Sequence, residues 1–364
     1  MKQKLAIIGA SITQLPLCLT AQRLGYETLC FAWSKGAVCK DVVDSFYNIS
    51  VTERERILSI CREQDVCGVV SNCSDFLADI VVWLSEQLGL HTIPYEHFCR
   101  LKDKGYVRSI AQHVPGLTHV ETFLYEGEQE VVFPCVIKPT IGGSKRGVSF
   151  VKNKEDLDEA IRYAGKEKLL VEQYIEGKEI SVETLSYEGQ HYVIQITDKD
   201  CFGAPHFIEV GHHQPAYLSP TLKLKICNVI PDLLSAMGYI NGAAHIELKY
   251  DIQEQLYLIE VNLRGGGDGI SNKLIGLSTD YDYLKGMIDI SSGKFRMPIV
   301  HHKAYSGIYY LTAQTKSLLP IIQKEIKETW CVERTLFTDN LRDSFTNDDR
   351  CGYLIYQDNH KIKL

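Results

Sequence analysis

The stretch AHIELKYDIQEQLYLIEVNLRGGGDGI, Ala244 to Ile270, decides how the rest of the chain is read. Two runs of alternating apolar and polar residues, HIELKY and LYLIEVN, flank a polar turn at Asp251–Gln255, the pattern of a β-hairpin. Placing Tyr250 opposite Tyr257 pairs Glu247 with Glu260 on neighbouring strands. Asn262 then shares the face of Glu260, because side chains on a strand repeat every second residue. Two carboxylates and an amide oxygen converge on one patch, with Arg264 just past the strand end and three glycines behind it. Close carboxylates repel unless a cation lies between them, and hard oxygen ligands with an open side suit Mg2+ carrying phosphate oxygens. A solvated surface hairpin is the competing reading on spacing alone.

Composition narrows the class. At 364 residues there is room for two or three domains, and 45% hydrophobic with 23% charged residues is the balance of a soluble globular protein. A net charge of −7 argues against a nucleic-acid partner, which needs a basic face, and no apolar run reaches a membrane span. The apolar start KLAIIGAS breaks at Gly9 and reads as a buried first strand rather than a targeting segment. Twelve cysteines contain no C-x-x-C, and several sit in apolar runs such as FPCVIK, as expected of reduced thiols in a cytoplasmic protein.

Residues 1–95 alternate strand and helix patterns, a βαβ series with a parallel sheet. IIGASITQLP lacks the second and third glycines of G-x-G-x-x-G, so a dinucleotide site is not expected there. Further on, LKDKGYVRSIAQHV reads as one helix carrying Lys104. FPCVIKP is a strand with Lys138 buried in it, which is costly unless an anion meets the ammonium. It leads into a loop of Gly142, Gly143, Ser144, Lys145, Arg146 and Gly147. Glycines let backbone N–H groups approach phosphates, and Lys and Arg add positive charge. A helix over 154–165 and the run LLVEQYIEGKEISVE follow. The last 65 residues show short strands, SGIYYLTA and GYLIYQDN, around an amphipathic helix, read as a small closing lobe without a motif.

IEVNLRGGG resembles the metal-binding signature of the ATP-grasp ligases, in which a first Glu and then Glu-x-Asn-x-Arg hold two Mg2+ ions against ATP. The resemblance runs from Lys104 to about Asn272. It implies an α/β chain with a Rossmann-like pre-ATP-grasp domain (1–95), an α+β ATP-grasp domain (96–300) with a mobile glycine-loop lid (118–175), and a C-terminal lobe (301–364). It implies ATP and Mg2+ (or Mn2+) as cofactors, with Glu247, Glu260 and Asn262 as metal ligands. Lys104, Lys138, Gly142, Gly143, Ser144 and Gly147 would hold phosphates, Glu172, Gln173, Tyr174 and Ile175 the adenine, and Glu179 the ribose. Arg264 and Lys138 would be catalytic.

The run GHHQP, with Glu209 upstream, is similar to the acceptor-site segment of the branch that joins amino acids, and makes His212 a third catalytic candidate. Adjacent histidines on extended chain face opposite ways, so only one of His212 and His213 is expected to face the site, with His206 a further candidate. Leu263 departs from the pattern, standing where many members have proline. The implied reaction activates a carboxylate as an acyl phosphate and joins it to an amine, with ADP released. Small-molecule carboxylate and amine substrates and a homodimer are the partners expected. A bicarbonate-using enzyme resembling carbamoyl-phosphate synthase or biotin carboxylase, and a non-catalytic ATP-binding protein, are the alternatives.

Overall fold

KLAII and ETLCFA are apolar runs long enough for a strand buried on both faces. In the computed structural model they are the central strands of a parallel sheet. The structure describes residues 2–127, 129–143, 146–165, 168–203, 208–323, 328–342, 346 and 349–364. Strands β1 (Lys4–Ile8), β2 (Glu27–Ala32), β3 (Ser45–Asn48) and β4 (Val66–Val70) take the order β3-β2-β1-β4, all parallel. Helices α1 (Leu15–Arg23), α2 (Arg54–Glu63) and α3 (Asp75–Gln87) cover this sheet. The Ser74 hydroxyl caps α3 by accepting the Leu77 N–H at 3.3 Å. Strand β3 carries little apolar signal and was not expected.

The segment LKDKGYVRSIAQHV holds a shorter helix than expected, α5 (Lys104–Ala111), and a helix that was not expected, α4 (Tyr95–Leu101), precedes it. Asp103 separates them because its side chain caps α5, accepting the Tyr106 N–H at 2.9 Å. A second antiparallel sheet has the order β5-β8-β6-β7, from β5 (Thr122–Tyr125), β6 (Cys135–Pro139), β7 (Ser149–Val151) and β8 (Leu169–Gln173). Helix α6 (Lys154–Ala164) packs Leu157, Ala160 and Ala164 on its Ile137, Val151 and Val171.

The largest sheet has eight antiparallel strands. They are β9 (Lys178–Tyr187), β10 (Gln190–Cys201), β11 (Glu209–Gln214), β12 (Gly242–Tyr250), β13 (Leu256–Asn262), β14 (Tyr305–Leu311), β15 (Cys331–Leu336) and β16 (Gly352–Asp358). Their order is β13-β12-β9-β10-β11-β14-β16-β15. The final 65 residues therefore extend this sheet instead of standing apart. Of the helix expected among them, the described residues hold α10 (Leu319–Ile322), numbered after α7 (Pro220–Ala236), α8 (Ile275–Ser278) and α9 (Tyr283–Ser291), and residues 324–327 of that run lie outside the described residues. On one face Ile180, Val182, Ile246 and Leu248 meet Ile226, Ile230, Leu233 and Leu234 of α7 in the main core. Each such side chain contributes about 1.5–3 kcal/mol relative to exposure. The opposite face is polar yet buried, and the site lies there.

Candidate active site

β12 and β13 form the hairpin expected, and Glu247 is paired with Glu260. The register reaching that pair differs from the expectation. Tyr250 lies opposite Leu256 and Tyr257 opposite Lys249, with a bulge between the Glu247–Glu260 and Leu248–Leu258 pairs. Ile259 is the extra residue. An extra residue reverses which face the following side chains take. Leu256 and Leu258 thus join the α7 core, while Glu260 and Asn262 turn to the face of Glu247 and His245. Unbroken alternation would have put all four on one face.

The bulge is anchored by two buried cations. Arg108 donates to Leu258 O and to Ile259 O (3.4 Å), and Lys138 Nζ donates to Ile259 O at 3.3 Å. Both cations also hold Glu172: Lys138 Nζ lies 2.6 Å from Oε2, and Arg108 Nε and Nη2 lie 3.0 and 2.8 Å from Oε1. Burial, reinforced by Arg108, draws the Lys138 pKa down in spite of Glu172. Burial opposes the Glu172 charge, but Lys138 and Arg108 outweigh it and keep the carboxyl below its ordinary range. The anion that meets Lys138 is thus supplied by the chain itself.

The site-face acids are likewise matched with cations. Lys104 Nζ is 3.2 Å from Glu260 Oε1 and donates to Gly142 O at 2.6 Å. Lys199, which carried no sequence signal, places Nζ 3.0, 2.9 and 2.8 Å from carboxylate oxygens of Glu179, Glu209 and Glu247. Burial opposes its charge, yet Glu209, Glu247 and Glu179 together raise its pKa well above the usual lysine value. His245 Nε2 is 3.2 Å from Glu247 Oε1, and its Nδ1 bonds Glu183, whose other oxygen accepts the Gly266 N–H at 3.0 Å. Burial disfavours the imidazolium, but Glu183 and then Glu247 push the His245 pKa up to about 9.

A cleft between the lid sheet and β13 brings together Lys104, Lys138, Gly142, Gly143, Glu172, Gln173, Tyr174, Ile175, Glu179, Glu247 and Glu260. At its far end the Lys249 ammonium lies 5.2 Å from the Tyr174 ring centroid and donates to Ile175 O at 3.2 Å. Gly147 is beside the lid rather than in this lining. Its φ is +71°, and a Cβ there would sit 2.9 Å from Pro139 Cγ, so glycine is required. Ser144, Lys145 and His206 lie outside the described residues.

Asn262 and Arg264 line an adjoining cavity with Lys104, Gly142, Gly143 and Glu260. Arg264 is held from the N-terminal domain: its Nε and Nη2 donate to the two oxygens of Asp75 at 3.0 and 3.3 Å. A Cβ on Gly143 would come within 2.9 Å of the same carboxylate, so Asp75 lies against both Arg264 and the lid loop.

The two histidines do face opposite ways. His213 bonds Tyr356 Oη (3.0 Å) and Asp200 (2.9 Å), a packing role between sheet strands. His212 lies in neither cleft lining. It is fully buried, with neither ring nitrogen hydrogen-bonded among the described residues, 3.6 Å from Glu209 and 3.8 Å from Asp268. Arg350 completes this group, with Nη1 2.9 Å from Asp268 and its guanidinium 3.5 Å above the Tyr310 ring. Arg108, Asp75, Lys199, Glu183, His245, Asp268 and Arg350 were not foreseen. For Glu183 the available signal was a charge inside a strand that carries Ile180, Val182 and Leu185.

Comparison with known families matches residues 131–272 to the ATP-grasp domain, a segment that holds β6, β7 and β8 of the lid sheet, most of the cleft lining and the hairpin. The chain carries an ATP-grasp domain. ADP-forming ligation with ATP and Mg2+ is the chemistry of this domain. The L-amino acid ligase of Bacillus licheniformis superposes with a TM-score of 0.80 at 23% identity, over 99% of this chain and 94% of that one. The N5-carboxyaminoimidazole synthetase of Staphylococcus aureus, solved with ADP, superposes with 0.77 at 17% identity, over 99% and 95%. The formate-dependent phosphoribosylglycinamide formyltransferase of Psychromonas ingrahamii is 22% identical over 288 residues, 73% of this chain and 70% of that protein. The residues of this ATP-grasp domain fit the cofactor. Oxygen donors Glu247, Glu260 and Asn262 lie on one face, and Glu260 rests on the Lys104 ammonium at 3.2 Å, where an electropositive partner is needed. Among the described residues no helix is long and apolar enough to cross a membrane.

Proposed function

We propose that the chain is a carboxylate–amine ligase whose substrates include an amino acid. The observation that carries this is the mixed charge beyond the metal-facing acids. Arg264 and Arg350 are suited to carboxylates, while Glu209 and Asp268 beside His212 are suited to an ammonium group. These groups are paired with one another, Arg264 with Asp75, Arg350 with Asp268 and Lys199 with Glu209. A zwitterion offers a replacement for both members of such pairs, whereas bicarbonate offers one only for the acids.

In this reading Glu247, Glu260 and Asn262 hold Mg2+, which supplies charge neutralisation at the phosphates. Lys104, Lys138 and the loop of Gly142, Gly143, Ser144 and Gly147 position the phosphates. Glu172 to Ile175 border the adenine, and Glu179 accepts the ribose hydroxyls. Arg264 stabilises negative charge at the carboxyl being activated as an acyl phosphate, a contribution that depends on donors fixed in advance. His212, 3.6 Å from Glu209 and 3.8 Å from Asp268, acts on the attacking ammonium through those carboxylates. The lid excludes water from the reacting centre. The working form is a homodimer.

The test is phosphate release from Mg-ATP across pairs of amino acids, with bicarbonate and with ammonia as separate arms. Release that needs a particular pair supports the proposal. Release with bicarbonate alone replaces it with the bicarbonate reading. ATP binding without release under any arm replaces it with a binding protein.

A further inference from the structure

Lys199 sits where a metal ion would be welcome. The nearest carboxylate oxygens of Glu179, Glu209 and Glu247 lie within 4.8 Å of one another, a three-oxygen cage of hard ligands that suits a divalent cation. The cage already has an occupant. The Lys199 ammonium lies 3.0, 2.9 and 2.8 Å from Glu179, Glu209 and Glu247, and donates a hydrogen bond to Glu247. The Lys199 side chain is only 2% exposed and rises from the middle of the sheet, paired on one side with Glu179 and on the other with His212. Removing it from the cage would leave an ammonium buried without partners, which is strongly unfavourable.

The contacts on Glu247 point the same way. Lys199 and His245 both sit on Oε1, and among the described residues Oε2 has no partner. That oxygen is the one left for a metal on the Glu260 and Asn262 side.

Resting on the ligase reading, we propose that Lys199 is a built-in cation that takes the place of one of two metal ions, so that this site binds a single divalent ion through Glu247, Glu260 and Asn262. Lys199 is then a positioning residue. It ties the ribose-side Glu179, the metal-side Glu247 and the acceptor-side Glu209 to one fixed charge, whether or not nucleotide is present.

The experiment counts ions. Mn2+ is titrated into the full chain saturated with a non-hydrolysable ATP analogue, and free Mn2+ is read by electron paramagnetic resonance. One bound Mn2+ per chain is expected. Two would overturn the inference and leave the ligase reading in place. None would remove the ligase reading, and the inference with it. Lys199→Gln empties the cage and should raise the count to two, with a melting temperature that increases on adding Mn2+. An unchanged count of one in that variant also overturns the inference. If the variant does not fold, the count in the unaltered chain decides.

Discussion

Glu247 faces Glu260 across the hairpin only because Ile259 bulges out of register between them and the Leu248–Leu258 pair. The bulge carbonyl accepts from Lys138 at 3.3 Å and from Arg108 at 3.4 Å, and the same two cations grip Glu172. The lid sheet, α5 and the β12–β13 hairpin are thereby joined through one buried charge cluster. Lys138 can serve a phosphate only by sharing its ammonium with Glu172.

Glu172→Gln should be the most damaging conservative change in this cluster. It keeps the volume and leaves Lys138 and Arg108 buried without their counter-ion, an error worth about 3–5 kcal/mol. Urea unfolding checks it. A loss below about 1 kcal/mol would show that the cluster does not hold the lid to the hairpin.

Glu260→Gln removes a charged oxygen from the metal-facing set but keeps a side chain that fits the hairpin. Calorimetric titration with ADP should show Mn2+-dependent affinity at least tenfold weaker, with metal-free ADP affinity unchanged. Equal losses with and without Mn2+ would place Glu260 outside the metal site.

Arg264→Lys keeps the charge but loses the planar fork that spans both Asp75 oxygens. Phosphate release under the productive substrate pair should fall by about 10²–10³-fold. Because Asp75 belongs to the other domain, the unfolding midpoint should fall as well. Turnover within threefold of the parent would show that the guanidinium is only a domain strap.

Asp268 titrates at about 2, because His212 and the Arg350 guanidinium favour its charged form although burial opposes it. Its folded pKa is below its unfolded value, so its stabilisation is present above about pH 4 and lost as pH falls toward 2. The carboxylate is partly open to solvent, and screening reduces the contribution to on the order of 1 kcal/mol. Asp268→Asn should be less stable than the parent at pH 7, with the gap closing between pH 4 and 2. A gap that stays constant with pH would assign the loss to packing.

Much of this architecture was legible because it depends on local pattern. The apolar runs at Leu5–Ile8 and Leu29–Phe31, the glycine loop between two strands, and the hairpin with its Glu, Glu, Asn and Arg could be read from period and composition. Short, mostly polar elements could not. β3, with one aromatic pair in four residues, and the short helix at Tyr95–Leu101 owe their form to the sheet and helices they pack on.

The amino-acid sequence by itself determined which residues could share a strand, which loops needed glycine, and that two carboxylates and an amide would lie close on one hairpin. Tertiary structure alone decided who balances their charge. Asp75 meets Arg264 across 189 residues of chain, Glu172 meets Arg108 across 64, and Lys199 meets Glu247 across 48. Arg350 reaches Asp268 from a strand-end that carries no motif. The physical reason is that backbone periodicity acts over a few residues, whereas a buried charge takes whichever opposite charge the packed fold brings within about 3 Å.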